Sequence, residues 1–343
     1  MEGLNGGSSL FGRVWSVRGL SAGAGQTYDQ QCERYDDNLE PLRNLTDQPT
    51  RFADGAALPQ GLLREVFLAA ALALVCGALL IASTDSGGFS FEILGDRTGG
   101  AQPGVYEEAW REATANRPSF VVTVGDTIEG GADMTMDAEW RQVMRLLTPY
   151  RQYRMFFAPG NHDVWSAASA LAFEHYTKHP LHYSFDYRQA HFTILDNSRS
   201  DSLPAEELAY LEKDLQGHAG QPVKFVISHR PSWILQAVLR NPDFPLQHLA
   251  ERYGVKYIVA GHIHQMLHFD LNGVMYLSLA SSGGHLRDSK RYEDGWFFEH
   301  TVVNVRGQSV EFSITELRAP LGQGRVSRPE DWGAAGLLSA AGH

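Results

Sequence analysis

Residues 155–163 have the sequence MFFAPGNHD, in which four apolar residues lead into a Pro-Gly turn and then an amide, an imidazole and a carboxylate. An apolar run of this length predicts a short buried strand, and the Pro-Gly pair predicts its end. A glycine at that point lets the backbone approach a ligand closely. The stretch therefore predicts a β-strand that delivers Asn161, His162 and Asp163 to one edge of a sheet.

The same arrangement recurs along the chain. Other apolar runs end in Gly95-Asp96-Arg97-Thr98, Gly125-Asp126, Ser228-His229-Arg230 and Gly261-His262-Ile263-His264. In open α/β sheets, ligands bind outside the carboxyl ends of the strands. Carboxylate, amide and imidazole side chains together are typical ligands of Mn, Fe or Zn. The polar segments therefore predict a metal site on one rim of an α/β domain.

The chain from residue 88 to residue 318 alternates between short β-rich runs and amphipathic stretches, which predicts one α/β domain. The predicted strands cover residues 89–94, 120–124, 155–158, 191–195, 224–228, 256–260, 266–271, 274–279, 296–305 and 309–317. The predicted helices cover residues 106–116, 137–147, 166–177, 205–215 and 246–253. Asn272-Gly273 predicts a tight hairpin between two of the later strands.

The two ends of the chain have a different composition. Residues 1–61 lack a sustained period, so we interpret them as a disordered tail or as sequence upstream of the true start codon. Residues 62–85 contain the apolar run 66–82, which predicts a transmembrane anchor or a signal peptide, with a buried core helix as the alternative. An anchor or a signal peptide would place the following domain outside the cytoplasm. Residues 319–343 are rich in Gly, Ala and Pro and predict a flexible tail.

Composition narrows the classes of function. The 343 residues include 40 acidic and 29 basic side chains, a formal net charge of -11, which opposes binding to nucleic acid. Two cysteines exclude a disulfide framework and a cysteine-rich metal site. All 14 histidines lie at or after His162, in the part of the chain that carries the polar segments.

Taken in order, these segments resemble the pattern of the calcineurin-like metallophosphoesterases. That pattern is D-x-H, GD-x-x-x-x-G, GNH followed by an acid, a lone histidine, and GH-x-H. The resemblance covers about residues 89–317. It implies a four-layer α/β/β/α sandwich around two mixed β-sheets, with one or two divalent metal ions, of which Mn, Fe and Zn are expected.

The resemblance also implies a role for each matching residue. Asp126 would bridge two metals, Asp96 and His264 would complete the first site, and Asn161, His229 and His262 would complete the second. His162 would act as the acid or stabilise the transition state, with Asp163 orienting its ring. A metal-activated hydroxide would attack phosphorus.

The chain departs from the family pattern at Thr98, which stands where D-x-H has its histidine. No earlier histidine can replace it, because none precedes His162. Three alternatives follow: a dinuclear site completed by water or a nearby acid, one tight and one loose metal, or a degraded site that only binds. Arg97 could clamp the substrate phosphate or form a surface ion pair. Arg230 and His285 are weaker candidates for substrate contact.

We therefore expect a metal-dependent hydrolase of phosphomonoesters or phosphodiesters. The alternative is a membrane-tethered metal-binding module with little or no turnover, because the D-x-H ligand is Thr98. The expected substrate is a small phosphoester, a lipid head group or a phosphoprotein, and nucleic acid is not expected. Membrane contact would run through residues 66–82 if that segment is uncleaved.

Overall fold

The computed structural model describes residues 87–332 and 335–336. The predictions for residues 1–61 and 62–85, including the apolar run 66–82, lie outside the described residues. Within the part of the chain that is described, no helix is both long enough and apolar enough to cross a bilayer.

The strands and helices agree closely with the sequence-based expectation over most of the domain. The strands are β1 Phe89–Leu94, β2 Phe120–Thr123, β3 Arg154–Phe157, β4 Tyr183–Tyr187, β5 Ala190–Ile194, β6 Val223–Ile227, β7 Tyr257–Ala260, β8 Leu267–Leu271, β9 Val274–Ser278, β10 Glu299–Arg306, β11 Ser309–Glu316, β12 Val326–Ser327 and β13 Ala335–Gly336. The α-helices are α1 Val105–Ala115, α2 Met136–Leu147, α3 Ala167–Thr177, α4 Ala205–Gly217, α5 Ile234–Leu239 and α6 Pro245–Tyr253.

The strands form two mixed sheets. The first has the order β12-β11-β10-β1-β2-β3, in which β1, β2 and β3 run parallel and β10 to β12 are antiparallel. The second has the order β13-β8-β9-β7-β6-β5-β4, with β5, β6, β7 and β9 parallel. The predicted hairpin at Asn272-Gly273 is confirmed, because it joins β8 to β9 with positive φ angles of 51° and 78°.

The two sheets pack face to face through aromatic side chains. Phe91 of the first sheet meets Phe192 and Phe225 of the second edge-on, with ring centroids 5.1 and 5.3 Å apart. Phe192 and Phe225 stack on each other at 4.8 Å. Each of these fully buried rings contributes roughly 1.5–3 kcal/mol by leaving water, so this layer is a main source of stability.

Helices cover the outer face of each sheet. Successive residues of a strand point to opposite faces, so Phe120 of β2 packs between the sheets while Val121 packs outward. Trp110 of α1 and Trp140 of α2 share the outward cluster of the first sheet. The helices α4 to α6 cover the second sheet in the same way. The expected four-layer α/β/β/α sandwich is confirmed.

Three features differ from the sequence-based expectation. Strand β4 and helix α5 were not expected, because both are short and partly exposed and give only a weak periodic signal. The expectation of a flexible tail from residue 319 is wrong for its first part. Strand β12 pairs with β11, and Trp332 packs against the core between the sheets. Burial of the large Trp332 ring stabilises this segment, although its composition is typical of a loop.

Candidate metal centre

The carboxyl ends of five parallel strands bring the predicted side chains together. In the first sheet, β1, β2 and β3 lead to Asp96, Asp126 and Asn161, and in the second, β6 and β7 lead to His229 and His262. His229 Nδ1 lies 3.8 Å from Asp96 Oδ1, so side chains from the two sheets meet at one rim. The site is therefore built between the sheets rather than on either one.

Four donors form a compact set that we call the nitrogen-rich group: Asp126, Asn161, His229 and His262. His229 Nε2 lies 3.0 Å from Asn161 Oδ1, 3.1 Å from His262 Nδ1 and 3.2 Å from Asp126 Oδ1. Ligands bound to one ion at about 2.0–2.2 Å are themselves about 3.0–3.5 Å apart. The spacing fits a single divalent ion with two nitrogen and two oxygen ligands.

A second set, the oxygen-rich group, comprises Asp96, Asp126, His264 and Thr98. Asp96, Asp126 and His264 offer ligand atoms that lie within 4.8 Å of one another, with His264 Nε2 3.7 Å from Asp96 Oδ1. Asp126 Oδ2, His264 Nε2 and Thr98 Oγ1 are buried and have no hydrogen-bond partner among the described residues. Buried polar atoms are rarely unpaired, so these atoms fit a bound cation.

Backbone carbonyls set the orientation of two of the imidazoles. His229 Nδ1 donates to the carbonyl oxygen of Val124, and His264 Nδ1 donates to that of His285, both at 2.8 Å. A ring nitrogen that donates in this way leaves the opposite nitrogen to bind metal. Both rings therefore present Nε2 to the site.

The charges in the site compensate one another. Burial opposes protonation, but the carboxylates of Asp126 and Asp96 outweigh it and raise the pKa of His229 to about 9. Burial, together with the charges of His229 and Arg230, lowers the pKa of His262 to about 3. A proton on His229 thus offsets the negative charge of the Asp96 and Asp126 carboxylates. A bound metal ion would replace that proton, because imidazole binds metal only after losing it.

The backbone at three ligands is strained. Asp126, His262 and His264 have φ angles of 55°, 71° and 59°, in the left-handed region that non-glycine residues seldom adopt. Such conformations cluster at functional sites. Gly160 serves the same site by its small size, because a Cβ there would lie 2.1 Å from the backbone nitrogen of Asp126.

His162 lies at the mouth of the site. Its backbone N–H donates to Asp126 Oδ1 at 2.9 Å, and its Nε2 lies 4.0 Å from Asp126 Oδ2. The ring Nδ1 donates to the carbonyl oxygen of Glu129, and the side chain is 30% exposed. With Nδ1 engaged, Nε2 is the nitrogen that can exchange a proton with a bound substrate.

The comparison with known proteins agrees with this geometry. The calcineurin-like phosphoesterase family matches residues 93–266, just over half of the chain. The chain belongs to the calcineurin-like phosphoesterase family. A curated relative is the 3',5'-cyclic adenosine monophosphate phosphodiesterase CpdA of Escherichia coli strain K12, 32% identical over 134 residues, or 36% of this chain and 48% of CpdA. CpdA of strain O157:H7 matches equally. The chain spans about half the length of these relatives.

Among solved structures, the purple acid phosphatase PPD1 of yellow lupin (Lupinus luteus) seeds has a similar fold. The TM-score is 0.57, the sequence identity 17%, and the match covers 71% of this chain and 53% of the lupin enzyme. At this identity the likeness shows the fold alone.

The expectation that Asp163 orients the His162 ring is wrong. The buried Asp163 carboxylate instead accepts hydrogen bonds from the backbone N–H groups of Thr127 (2.8 Å), Ile128 (3.1 Å) and Gly160 (3.0 Å). It thereby joins the loop after β2 to the loop after β3. Burial, with the charge of Asp126, raises the pKa of Asp163 to about 7, against the effect of these three bonds.

The structure also places the other three candidates. Arg97 donates to the carbonyl oxygen of Thr127 and lies over the ring of Tyr106, and its contact with a substrate phosphate stays a prediction. His285 is exposed and supports His264 through its backbone carbonyl. Arg230 lies nearest the centre, with Nη1 3.2 Å from His262 Nε2 and an ion pair to the exposed Asp201.

Glu129 is a functional residue that sequence reasoning missed. Its carbonyl holds His162, and its carboxylate accepts from the backbone N–H groups of Gly100 and Ala101 at 3.3 and 2.7 Å. It lies inside the GD-x-x-x-x-G segment. Neither a contact made by a backbone carbonyl nor a bond to a turn far away in the chain produces a recognisable sequence pattern. Asn197, at the end of a strand near the same edge, was expected from the sequence to support the ligands, and its Oδ1 accepts from the backbone N–H of His229 at 3.1 Å.

A further group of metal-ligand residue types lies away from this centre: Asp186, His191 and His218. Both ring nitrogens of the buried His191 are already engaged, Nδ1 with Asp186 at 2.7 Å and Nε2 with Asp214 at 2.8 Å. The two carboxylates, against the effect of burial, raise the pKa of His191. This cluster is an ion-pair network centred on a buried imidazole whose two nitrogens are both engaged.

Proposed function

We propose that the protein is a metal-dependent hydrolase of small phosphodiesters. The observation that carries this proposal is the pair of donor groups that share Asp126, with His162 at their mouth. Metal ions held by these groups would supply an activated water and would stabilise charge on the attacking and leaving oxygens. The nitrogen-rich and oxygen-rich groups share one carboxylate, which suits such a pair.

The chain's own residues would divide the remaining tasks. His162 would give a proton from Nε2 to the leaving oxygen, because its Nδ1 is held by the Glu129 carbonyl. Asp163 would hold the loops after β2 and β3 in register through its three backbone bonds. The carbonyls of Val124 and His285 would keep His229 and His264 in the orientation that binds metal.

The preference for a phosphodiester rests on the curated relative CpdA, which its name describes as a cyclic nucleotide phosphodiesterase. The match covers about half of that relative, so the substrate remains our proposal. The net charge of -11 supports a small phosphoester over a long nucleic acid.

The test uses the full chain, freed of metal with a chelator and then supplied with Mn²⁺ or Zn²⁺. We expect hydrolysis of bis(p-nitrophenyl) phosphate and 3',5'-cyclic AMP to exceed that of p-nitrophenyl phosphate. His162→Ala should lower the rate by about 100-fold or more, whereas the exposed His248→Ala on α6 should not. A chain that binds metal but hydrolyses none of these substrates would overturn the proposal and favour the binding module.

We also propose that the domain lies outside the cytoplasm, on the strength of the apolar run 66–82. Cell fractionation of the full chain and of a chain lacking residues 62–82 tests this. We expect the full chain to be exported and the chain lacking residues 62–82 to stay in the cytoplasm. Cytoplasmic recovery of the full chain would contradict the proposal.

A further inference from the structure

We propose that the two metal positions are unequal, with the Thr98 hydroxyl as a ligand of a weaker, oxygen-rich position that prefers Mn²⁺. This inference rests on the proposed two-metal site but concerns metal binding rather than turnover. Thr98 is the residue at which the chain departs from the pattern of its family.

Thr98 lies beside the other members of the oxygen-rich group. It lies two residues after Asp96, and its backbone N–H donates to the carbonyl oxygen of Asp126 at 3.1 Å. The next residue, Gly99, faces His264, since a Cβ on Gly99 would lie 3.3 Å from His264 Nε2. Thr98 therefore stands among the three other members of the group.

The hydroxyl itself is available as a ligand. Thr98 is fully buried, and its Oγ1 has no hydrogen-bond partner among the described residues, as is also true of Asp126 Oδ2 and His264 Nε2. A buried hydroxyl without a partner is costly, by about 1–3 kcal/mol. A cation shared by these three atoms would remove that cost.

Glu129 orients the turn that carries Thr98. Its carboxylate accepts hydrogen bonds from the backbone N–H groups of Ala101 at 2.7 Å and Gly100 at 3.3 Å, just after Thr98 in the chain. The Thr98 hydroxyl lies near this carboxylate without forming a well-shaped hydrogen bond. A hydroxyl that turns its proton towards a carboxylate keeps its lone pairs for a metal.

The two donor sets differ in chemistry. The nitrogen-rich group offers two imidazoles, an amide and a carboxylate, which suit Zn or Fe. The oxygen-rich group offers two carboxylates, a hydroxyl and one imidazole, a set that suits harder ions such as Mn²⁺. A neutral hydroxyl is a weaker ligand than the imidazole that the family pattern has at this point. The nitrogen-rich position should therefore fill first and more tightly.

The test is equilibrium dialysis of the full chain against a series of Mn²⁺ concentrations, with metal counted by mass spectrometry. We expect two ions per chain with distinct dissociation constants. Loss of an outer-shell partner already costs about 10- to 100-fold in metal affinity, so Thr98→Val should weaken the looser step by at least about 10-fold. The tighter step should not change.

Two variants control for packing. Thr98→Ser keeps a hydroxyl and should retain both steps. Thr123→Val removes another buried hydroxyl without a partner, on β2, and should also retain both. Unchanged binding in Thr98→Val, a weakened tighter step, or a single ion per chain in the unaltered protein would overturn the inference. Because no step measures turnover, a catalytically inactive chain could still satisfy it, and an active one could still refute it.

Discussion

Replacing Asp163 by Asn tests whether this carboxylate joins two loops or acts directly on His162. The amide oxygen can still accept from Thr127 and Ile128, but the amide NH₂ would face the backbone N–H of Gly160, which now donates to the carboxylate at 3.0 Å. Above about pH 7, where Asp163 is ionised, one charge-assisted bond is lost and a buried N–H is left without an acceptor, at a cost of about 2–3 kcal/mol. The displaced loop carries Asn161, so metal affinity should fall by about 10- to 100-fold.

The assay is urea unfolding of the full chain, followed by circular dichroism, with metal content measured on the same samples. Asp133→Asn is a suitable control, because Asp133 accepts only exposed hydrogen bonds near the same rim and its loss should change stability by less than about 0.5 kcal/mol. If Asp163→Asn lost activity but kept both its unfolding free energy and its metal, the loop-joining role would be refuted and a direct role at His162 would be favoured.

Three further predictions concern other parts of the domain. His162→Gln should lower kcat by about 100-fold while metal content stays unchanged, and loss of metal would contradict its place at the mouth. His191→Phe should cost about 3 kcal/mol below pH 6.5 by stranding the Asp214 carboxylate, measured by urea unfolding. The carboxylates raise the pKa of His191 above its unfolded value, so the loss of unfolding free energy in His191→Phe should shrink as pH rises through the folded pKa. A loss that does not change with pH would refute this prediction. Trp332→Ala should lower the free energy of unfolding by about 3 kcal/mol, because the ring packs in the core. A change within about 0.5 kcal/mol would instead support a flexible tail from residue 319.

The sequence predicted most of the framework because buried parallel strands are continuous apolar runs and their polar ends must share a rim. Asp96, Asp126, Asn161 and His229 were found in this way, and the structure brings them together.

What the sequence could not predict depends on contacts between distant segments. Asp163 bonds backbone groups 35 and 36 residues away, and Glu129 holds His162 through a carbonyl, which every residue possesses. Arg97 follows a ligand directly but turns towards Tyr106. In each case the sequence shows the residue type but not its contact partner, because the packing of the loops determines that partner.

We propose that the shared Asp126 carboxylate assembles a two-metal phosphoesterase site, and the variant Asp126→Asn is the decisive test. Asn keeps the size of Asp and tolerates its left-handed backbone, so the fold should persist. Metal content and bis(p-nitrophenyl) phosphate hydrolysis should be measured on the same preparation of the full chain. We expect one metal or none per chain and hydrolysis at the background rate. Two metals per chain with an undiminished rate would contradict the proposal.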